Sequence, residues 1–303
     1  SDEDKHKKMA EALIHTKVDI GDVDAIVVYN EGVKKGVEKV FGQNGVKAPE
    51  ILYNNNPKML KYRFYYTKIF FDDRKYETLV TGPYTLLSSY KAVIEKVKEN
   101  RKTKKGNYPY ATVKALVESL DKDITILSEL KAVADLLQNY PPHNDTVGDH
   151  TEKVVEEMKK CDYCKGASEE VKNVLLLGAY LHDIGKGPAS KWKEGKMNCA
   201  YPDHPVDAIP MIERILSEDI ETLEDDVIRR LCMLVVYHDI VGECYEKGRD
   251  KQQIADLIGS EDDYDMLTAI SIADATATNG FWGRKLVRGA AAMKAEVMKL
   301  KNG

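Results

Sequence analysis

An apolar run that ends on an adjacent imidazole and carboxylate constrains this chain more than any other stretch of it. Val174-Leu175-Leu176-Leu177-Gly178-Ala179-Tyr180-Leu181 leads directly into His182-Asp183-Ile184-Gly185-Lys186. The run predicts a helix over 168–184, apolar on most faces and therefore buried, with Gly185 as its stop. Polar groups carried into such surroundings without partners are costly, so something must satisfy His182 and Asp183. A divalent metal ion does so economically, because neutral imidazole nitrogen and carboxylate oxygen both serve as its ligands.

A His-Asp pair alone is weak evidence, since a given dipeptide occurs by chance in roughly a third of chains this long. The order of the other histidines and acids strengthens it. His150 opens a helix after Val147-Gly148-Asp149, and His204 begins another after Tyr201-Pro202-Asp203. His238 ends the apolar stretch that starts at Leu231, and Asp274 sits inside Ile270-Ser271-Ile272-Ala273-Asp274-Ala275. All of these positions fall on helices or at their ends, where the backbone holds a side chain rigidly. Five of the seven histidines follow residue 140, in a half whose 21 basic and 30 acidic groups sum to −9, whereas residues 1–140 carry 24 and 20 and sum to +4.

In this order the residues resemble the HD-domain superfamily of metal-dependent phosphohydrolases, in its binuclear form. The likeness covers about residues 140–280. It implies that His150, His182, Asp183 and Asp274 hold a first metal, and that His204 and His238 hold a second with Asp183 bridging. Lys186 matches the lysine that faces substrate phosphate. His143, in Pro141-Pro142-His143-Asn144-Asp145, resembles a histidine ahead of the first ligand in members linked to RNA-end processing, and is a substrate-contacting or proton-donating candidate.

The implied cofactors are two divalent ions drawn from Mn, Fe, Co, Ni or Mg, with no separate organic cofactor. The implied partner is a nucleotide or an RNA or DNA end. The implied reaction is hydrolysis of its phosphate mono- or diester by a metal-activated water, with Asp183, Lys186 and His143 as catalytic groups. A mixed-valent di-iron oxygenase and a non-catalytic nucleotide-sensing module of the same superfamily stand as alternatives. No Gly-Tyr-Pro signature follows the metal residues and no P-loop occurs, which argues against a cyclic-di-GMP phosphodiesterase and a fused kinase.

Plainer readings accompany several of these residues. His204 can be an ordinary helix-start residue with Asp203 as the cap, and Lys186 a cation at a helix C-terminus. Asp239 is read as an acid outside the ligand set. Cys161 and Cys164 have metal-like spacing but no partner pair, which favours a structural role.

Ahead of the helical part, Asp24–Tyr29 reads as a strand, Glu31–Phe41 as a helix closed by Gly45, and Glu50–Tyr53 as a second strand, together a βαβ-type unit. Residues 61–81 read as a hairpin. Its aromatic and basic band from Lys58 to Lys75 is either a stacking platform for bases or a half-buried strand face, the latter being favoured. A helix over 86–100 and a basic loop over 101–107 follow. Helices are then predicted near 113–120, from 126 to 137, and over 151–160, 204–217, 225–239, 263–278 and 284–300, with Pro141-Pro142 as an interruption.

The expected fold class is thus α+β. An all-α HD-domain helical bundle, residues 121–303, is preceded by a smaller α/β domain, residues 1–120, of unknown function. The longest stretch without a charged residue, Thr78 to Tyr90, has 13 positions, short of a membrane-spanning helix. The mixed-charge start and five irregularly spaced cysteines point to a reducing, cytoplasmic setting. Oligomeric state is left open.

Overall fold

The computed structural model describes residues 20–28, 31–43, 45–53, 86–104 and 106–302. The hairpin expected over 61–81, with the band from Lys58 to Lys75, lies outside the described residues. The chain divides into two compact units, residues 1–70 and 71–303.

In the first unit, β1 (Ala25–Val28) and β2 (Glu50–Tyr53) pair in parallel, from Ala25 opposite Glu50 to Val28 opposite Tyr53. Helix α1 (Glu31–Gln43) connects them. Parallel pairing requires such a crossover, because a tight turn returns the chain antiparallel. Val28, Val37 and Ile51 are buried in this unit, so each of the three elements supplies an apolar residue.

The second unit is helical with two very short strands. Its main helices are α2 (Leu86–Thr103), α3 (Val113–Leu120), α4 (Val147–Lys160), α5 (Glu169–Leu181), α6 (His204–Asp207), α7 (Ile209–Glu218), α8 (Asp225–Val236), α9 (Ile240–Glu246), α10 (Glu261–Thr278) and α11 (Gly280–Asn302). Helix α10 packs on α4, α9 and α11, while α5 packs on α3, α4 and α8, and α2 lies against α7 and α8. Leu175, Leu177, Leu181, Leu231, Leu234 and Ile270 are fully buried where these faces meet, each stabilising the fold by about 1.5–3 kcal/mol. Gly178 lets α8 close on α5, since a Cβ there would come within 2.9 Å of the Leu234 side chain.

Two capping boxes set the register of the helices that carry His150 and Asp274. Thr146 accepts from the Asp149 backbone while the Asp149 carboxylate accepts from Thr146 N–H, and Ser260 and Asp263 do the same for α10. The bundle departs from the predicted helices at several points, and α4 and α11 each begin four residues earlier than expected, at Val147 and Gly280. Helix α5 ends at Leu181, with His182 as its C-cap and a 3₁₀ turn at Ile184–Lys186. A Cβ at Gly185 would sit 1.8 Å from the His204 carbonyl oxygen, so that turn is pressed against the α6 backbone, which only glycine allows.

Helix α8 ends at Val236 because Tyr237 leaves the helical region (φ −126°, ψ 20°). The stretch expected as one helix over 204–217 is divided into α6 and α7, each with a proline in its first turn. The helix expected from 126 to 137 stops at Val133, and Leu137–Gln138 instead pairs in parallel with Lys196–Met197. Among the described residues, no helix is long and apolar enough to cross a membrane.

Candidate metal centre

The second unit gathers the six ligand-type residues of the sequence into two triads. His150, His182 and Asp274 form one, and Asp183, His204 and His238 the other, each with one ligand atom per residue lying within 4.8 Å of the rest. His150 comes from the first turns of α4, His182 and Asp183 from the end of α5, His204 from the start of α6, His238 from the turn after α8, and Asp274 from α10. His150, His182, Asp183, His204 and His238 are all buried.

Three of the four histidines have their tautomer set by a nearby backbone carbonyl. The Nδ1 atoms of His182, His204 and His238 lie 2.7, 2.6 and 2.9 Å from the carbonyl oxygens of Ala179, Tyr201 and Val235, each three residues earlier. A carbonyl oxygen only accepts, so Nδ1 carries the hydrogen and Nε2 of the neutral ring presents a lone pair. That second contact is how proteins orient a metal-binding imidazole.

The lone pairs then have no conventional partner. His204 Nε2 and His238 Nε2 face each other at 3.0 Å, and His182 Nε2 is buried with no hydrogen bond among the described residues. Two acceptors pointed at one another repel, and a cation between or beside them removes the conflict. The residues therefore fit a divalent ion by donor chemistry, and mixed imidazole and carboxylate donors suit Mn, Fe, Co or Ni better than Mg.

Electrostatics favour positive charge at the same place. Burial alone would raise the Asp183 carboxyl, yet the Lys186 ammonium holds it well below the usual carboxylate range. Burial is likewise outweighed at Asp274, where the contact with His150 Nε2 at 2.9 Å keeps the carboxylate ionised. His204 is pushed down to about 4 by burial, against the pull of Asp183. The site is thus two carboxylates amid imidazoles.

Lys186 Nζ donates to Asp183 Oδ2 at 2.5 Å and to Gln138 Oε1 at 2.9 Å. Burial lowers its pKa, but Asp183 more than compensates and keeps it charged. Its observed place is therefore beside a candidate ligand. His143 is half-buried, its ring 5.3 Å from that of His150, and burial with the nearby Lys186 charge lowers its pKa. Both residues line a cleft of roughly 460 Å³ whose floor holds His150, Asp183, His204, His238 and Asp274, a size that suits a small ligand.

Sequence reasoning passed over two residues here. Asp239, set aside as an outlying acid, has Oδ2 3.6 Å from His238 Nε2 and 3.8 Å from His204 Nε2, and forms a further ligand-type group with His238 and Asp274. Its signal was the second His-Asp pair at 238–239. Gln138, fully buried under Lys186, left only the trace of one polar residue after Leu136-Leu137. Among the described residues no cysteine joins a metal-holding cluster, and all five thiols are free.

The family comparison points to a different chemistry from the motif order. Residues 1–60 match the family model of DarT, the ssDNA thymidine ADP-ribosyltransferase. The match spans a fifth of the chain and ends before the helical unit. No curated protein and no solved structure matches the chain.

This match corrects the functional assignment drawn from the His-Asp order. The matched family is a transferase and not an HD-domain family, so membership of the HD superfamily, hydrolysis of a phosphate mono- or diester, and the enzyme class that followed do not stand. The oxygenase and sensing alternatives, which leaned on the same superfamily, fall with them. The physical reason is general: a donor set determines which cations can sit at a site, whereas the bond that breaks depends on the ligand placed beside it. What persists in the helical unit is the donor geometry, without a reaction attached.

Proposed function

We propose that this chain is part of a protein that works on thymidine-containing single-stranded DNA by ADP-ribosyl transfer, and that its helical unit holds a pair of divalent cations. The observation that carries the DNA-directed reading is the match of residues 1–60 to the DarT family. The cation pair is supported by the convergence of His150, His182, Asp183, His204, His238 and Asp274 and by the opposed His204 and His238 nitrogens. When bound, such cations supply positive charge for the oxygens of an anionic ligand in the cleft.

The chain's own residues then have separate tasks. Backbone carbonyls of Ala179, Tyr201 and Val235 hold three rings in the ligating tautomer. Lys186 keeps Asp183 ionised, and Gln138 holds Lys186. His143 stands on the wall of the cleft, where it can reach a bound ligand. A cytoplasmic setting belongs to the same reading, in keeping with an odd number of free thiols.

The test is incubation of the chain with a thymidine-containing single-stranded oligonucleotide and NAD as ADP-ribosyl donor. Mass spectrometry reads the adduct and fluorescence anisotropy reads binding. A duplex and a thymidine-free strand serve as controls. Selective binding of the thymidine strand together with an ADP-ribose adduct is expected. Equal affinity for all three strands with no adduct would overturn the reading.

A further inference from the structure

Helix α11 has an outer face whose composition is unlike the rest of its half of the chain. Phe281 is 64% exposed and shares one helical stripe with the exposed Arg284, Lys285 and Arg288, at i, i+3, i+4 and i+7, while Trp282, 40% exposed, lies beside that stripe on the side of the cleft. From Gly280 to Ala295 the helix carries Arg284, Lys285, Arg288 and Lys294 and no acid, although residues 141–303 sum to −9. Neither Arg284 nor Arg288 forms an ion pair among the described residues, whereas Lys285 pairs with Glu246 at 3.1 Å. Two neighbouring exposed aromatic rings beside cations unpaired among the described residues offer a contact surface that combines apolar faces with positive charge.

The face leads into the cleft. Trp282 borders the same cavity as His238, Asp239 and Asp274, next to Ala275 and Thr278 of α10. Its position is held by close helix packing. A Cβ at Gly283 would lie 2.0 Å from Thr276 Oγ1, and one at Gly289 would lie 2.4 Å from the Tyr245 ring. Glycines at both points let α11 seat tightly on α10 and α9, so Trp282 is carried by a rigid element at the cleft mouth.

We infer that this part of α11 is a binding platform for single-stranded nucleic acid, with bases stacked on Phe281 and Trp282 and the strand's phosphates met by Arg284 and Arg288. The inference rests on the reading of the chain as a protein of single-stranded DNA and names the surface that would hold the strand. Exposed aromatic rings take any base by stacking, and cations along the same groove track the backbone. A duplex keeps its bases paired and offers no free face to Trp282. The acids that oppose the strand are Glu246, already neutralised by Lys285, and Asp239 and Asp274 inside the cleft.

The experiment measures anisotropy of a fluorescein-labelled oligothymidine with the full chain, at two salt concentrations. The variants are Trp282→Ala, Phe281→Ala and the double variant Arg284→Glu, Arg288→Glu. Trp282→Ala is expected to weaken binding by about five- to a hundredfold, the usual scale for one stacked base. The double charge variant is expected to flatten the salt dependence, since each phosphate neutralised contributes to that slope. Circular dichroism checks that each variant is folded, and melting should be unchanged for the double charge variant, whose side chains are exposed. In a Trp192→Phe background, oligothymidine should quench the remaining Trp282 fluorescence.

If the unaltered chain binds no single strand, the reading of the chain as a DNA protein fails, and the platform fails with it. If the unaltered chain binds and all variants bind equally, the platform alone is wrong. Loss of self-association in sedimentation with unchanged DNA affinity would also overturn it, by assigning the face to a second copy of the chain.

Discussion

His204 Nε2 and His238 Nε2 stand 3.0 Å apart with both Nδ1 atoms committed to backbone carbonyls. The two rings come from α6 and from the turn after α8, and neither can rotate away without giving up its carbonyl. The opposition of two lone pairs is thus built into the packing and is relieved by whatever positive charge sits beside them.

Metal addition should therefore stabilise the protein. A cation that binds the folded chain and not the unfolded one adds about 2.7 kcal/mol at a hundredfold excess over its dissociation constant. Mn²⁺ added to chelator-treated protein is expected to raise the melting temperature, and elemental analysis should find two ions per chain. His238→Ala should lower that content to one or none. An unchanged metal content in His238→Ala would argue against the pair.

Lys186 counters the charge of Asp183, and the proposed cations would do the same. Lys186→Met removes the ammonium 2.5 Å from Asp183 Oδ2 and leaves a buried carboxylate short of its partner. Breaking a buried ion pair costs about 3–5 kcal/mol, so urea denaturation of chelator-treated protein should show a loss of that order. With Mn²⁺ present the loss should shrink, because the cations supply the missing charge. Equal losses under the two conditions would show that Lys186 and the cations do not share Asp183.

Gly185→Ala tests the seat of α6. The added methyl would fall 1.8 Å from the His204 carbonyl oxygen and 2.6 Å from Ala208 N, so α6 has to move. Overpacking of this kind costs typically about 1–3 kcal/mol, and the backbone clash places this variant at or above that range. Denaturation should also be accompanied by loss of metal content, since His204 is displaced from Asp183. Full stability with full metal content would contradict the geometry.

Asp263 links pH to the helix that carries Asp274. Its side chain is fully buried, accepts from Gly259 N–H at 2.7 Å and Ser260 N–H at 3.2 Å, and pairs with Arg229 at 2.8 Å and Arg230 at 3.1 Å. Burial would raise its pKa, but Arg229 and these amides hold it below the usual value. A depressed folded pKa means that the stabilisation is complete above the unfolded value of about 3.9 and is lost as pH falls through the lower folded one. Asp263→Asn should cost about 3–5 kcal/mol at neutral pH and shallow the acid limb of the stability curve. An acid limb of unchanged slope would remove Asp263 from that account.

Much of the local structure was legible in the chain. The apolar spacing around Leu175 and Leu231 marked buried helices, and the βαβ order of the first unit followed from its alternating segments. These are local properties, set by side-chain periodicity and backbone freedom within a few residues. Helix ends were less legible. Tyr237 leaves the helical region, and the stretch from 204 to 218 divides in two. Long-range packing decides such points, and it outweighs small differences in propensity.

The chemistry-bearing residue types were equally plain: four histidines and two aspartates in apolar settings, all placed by helices. Their mutual distances were not, because His204 approaches His238 only through the seating of α6 on the Gly185 turn, and Asp239 enters through the kink after Val236. The reaction was misread from motif order, since ligand identity along a chain says which ions are welcome and nothing about which bond lies beside them. The fold brings those donors, Lys186 and the Trp282 face to one cleft of the helical unit, because side chains distant in sequence become neighbours only when the apolar faces of α4, α5, α8 and α10 close on one another.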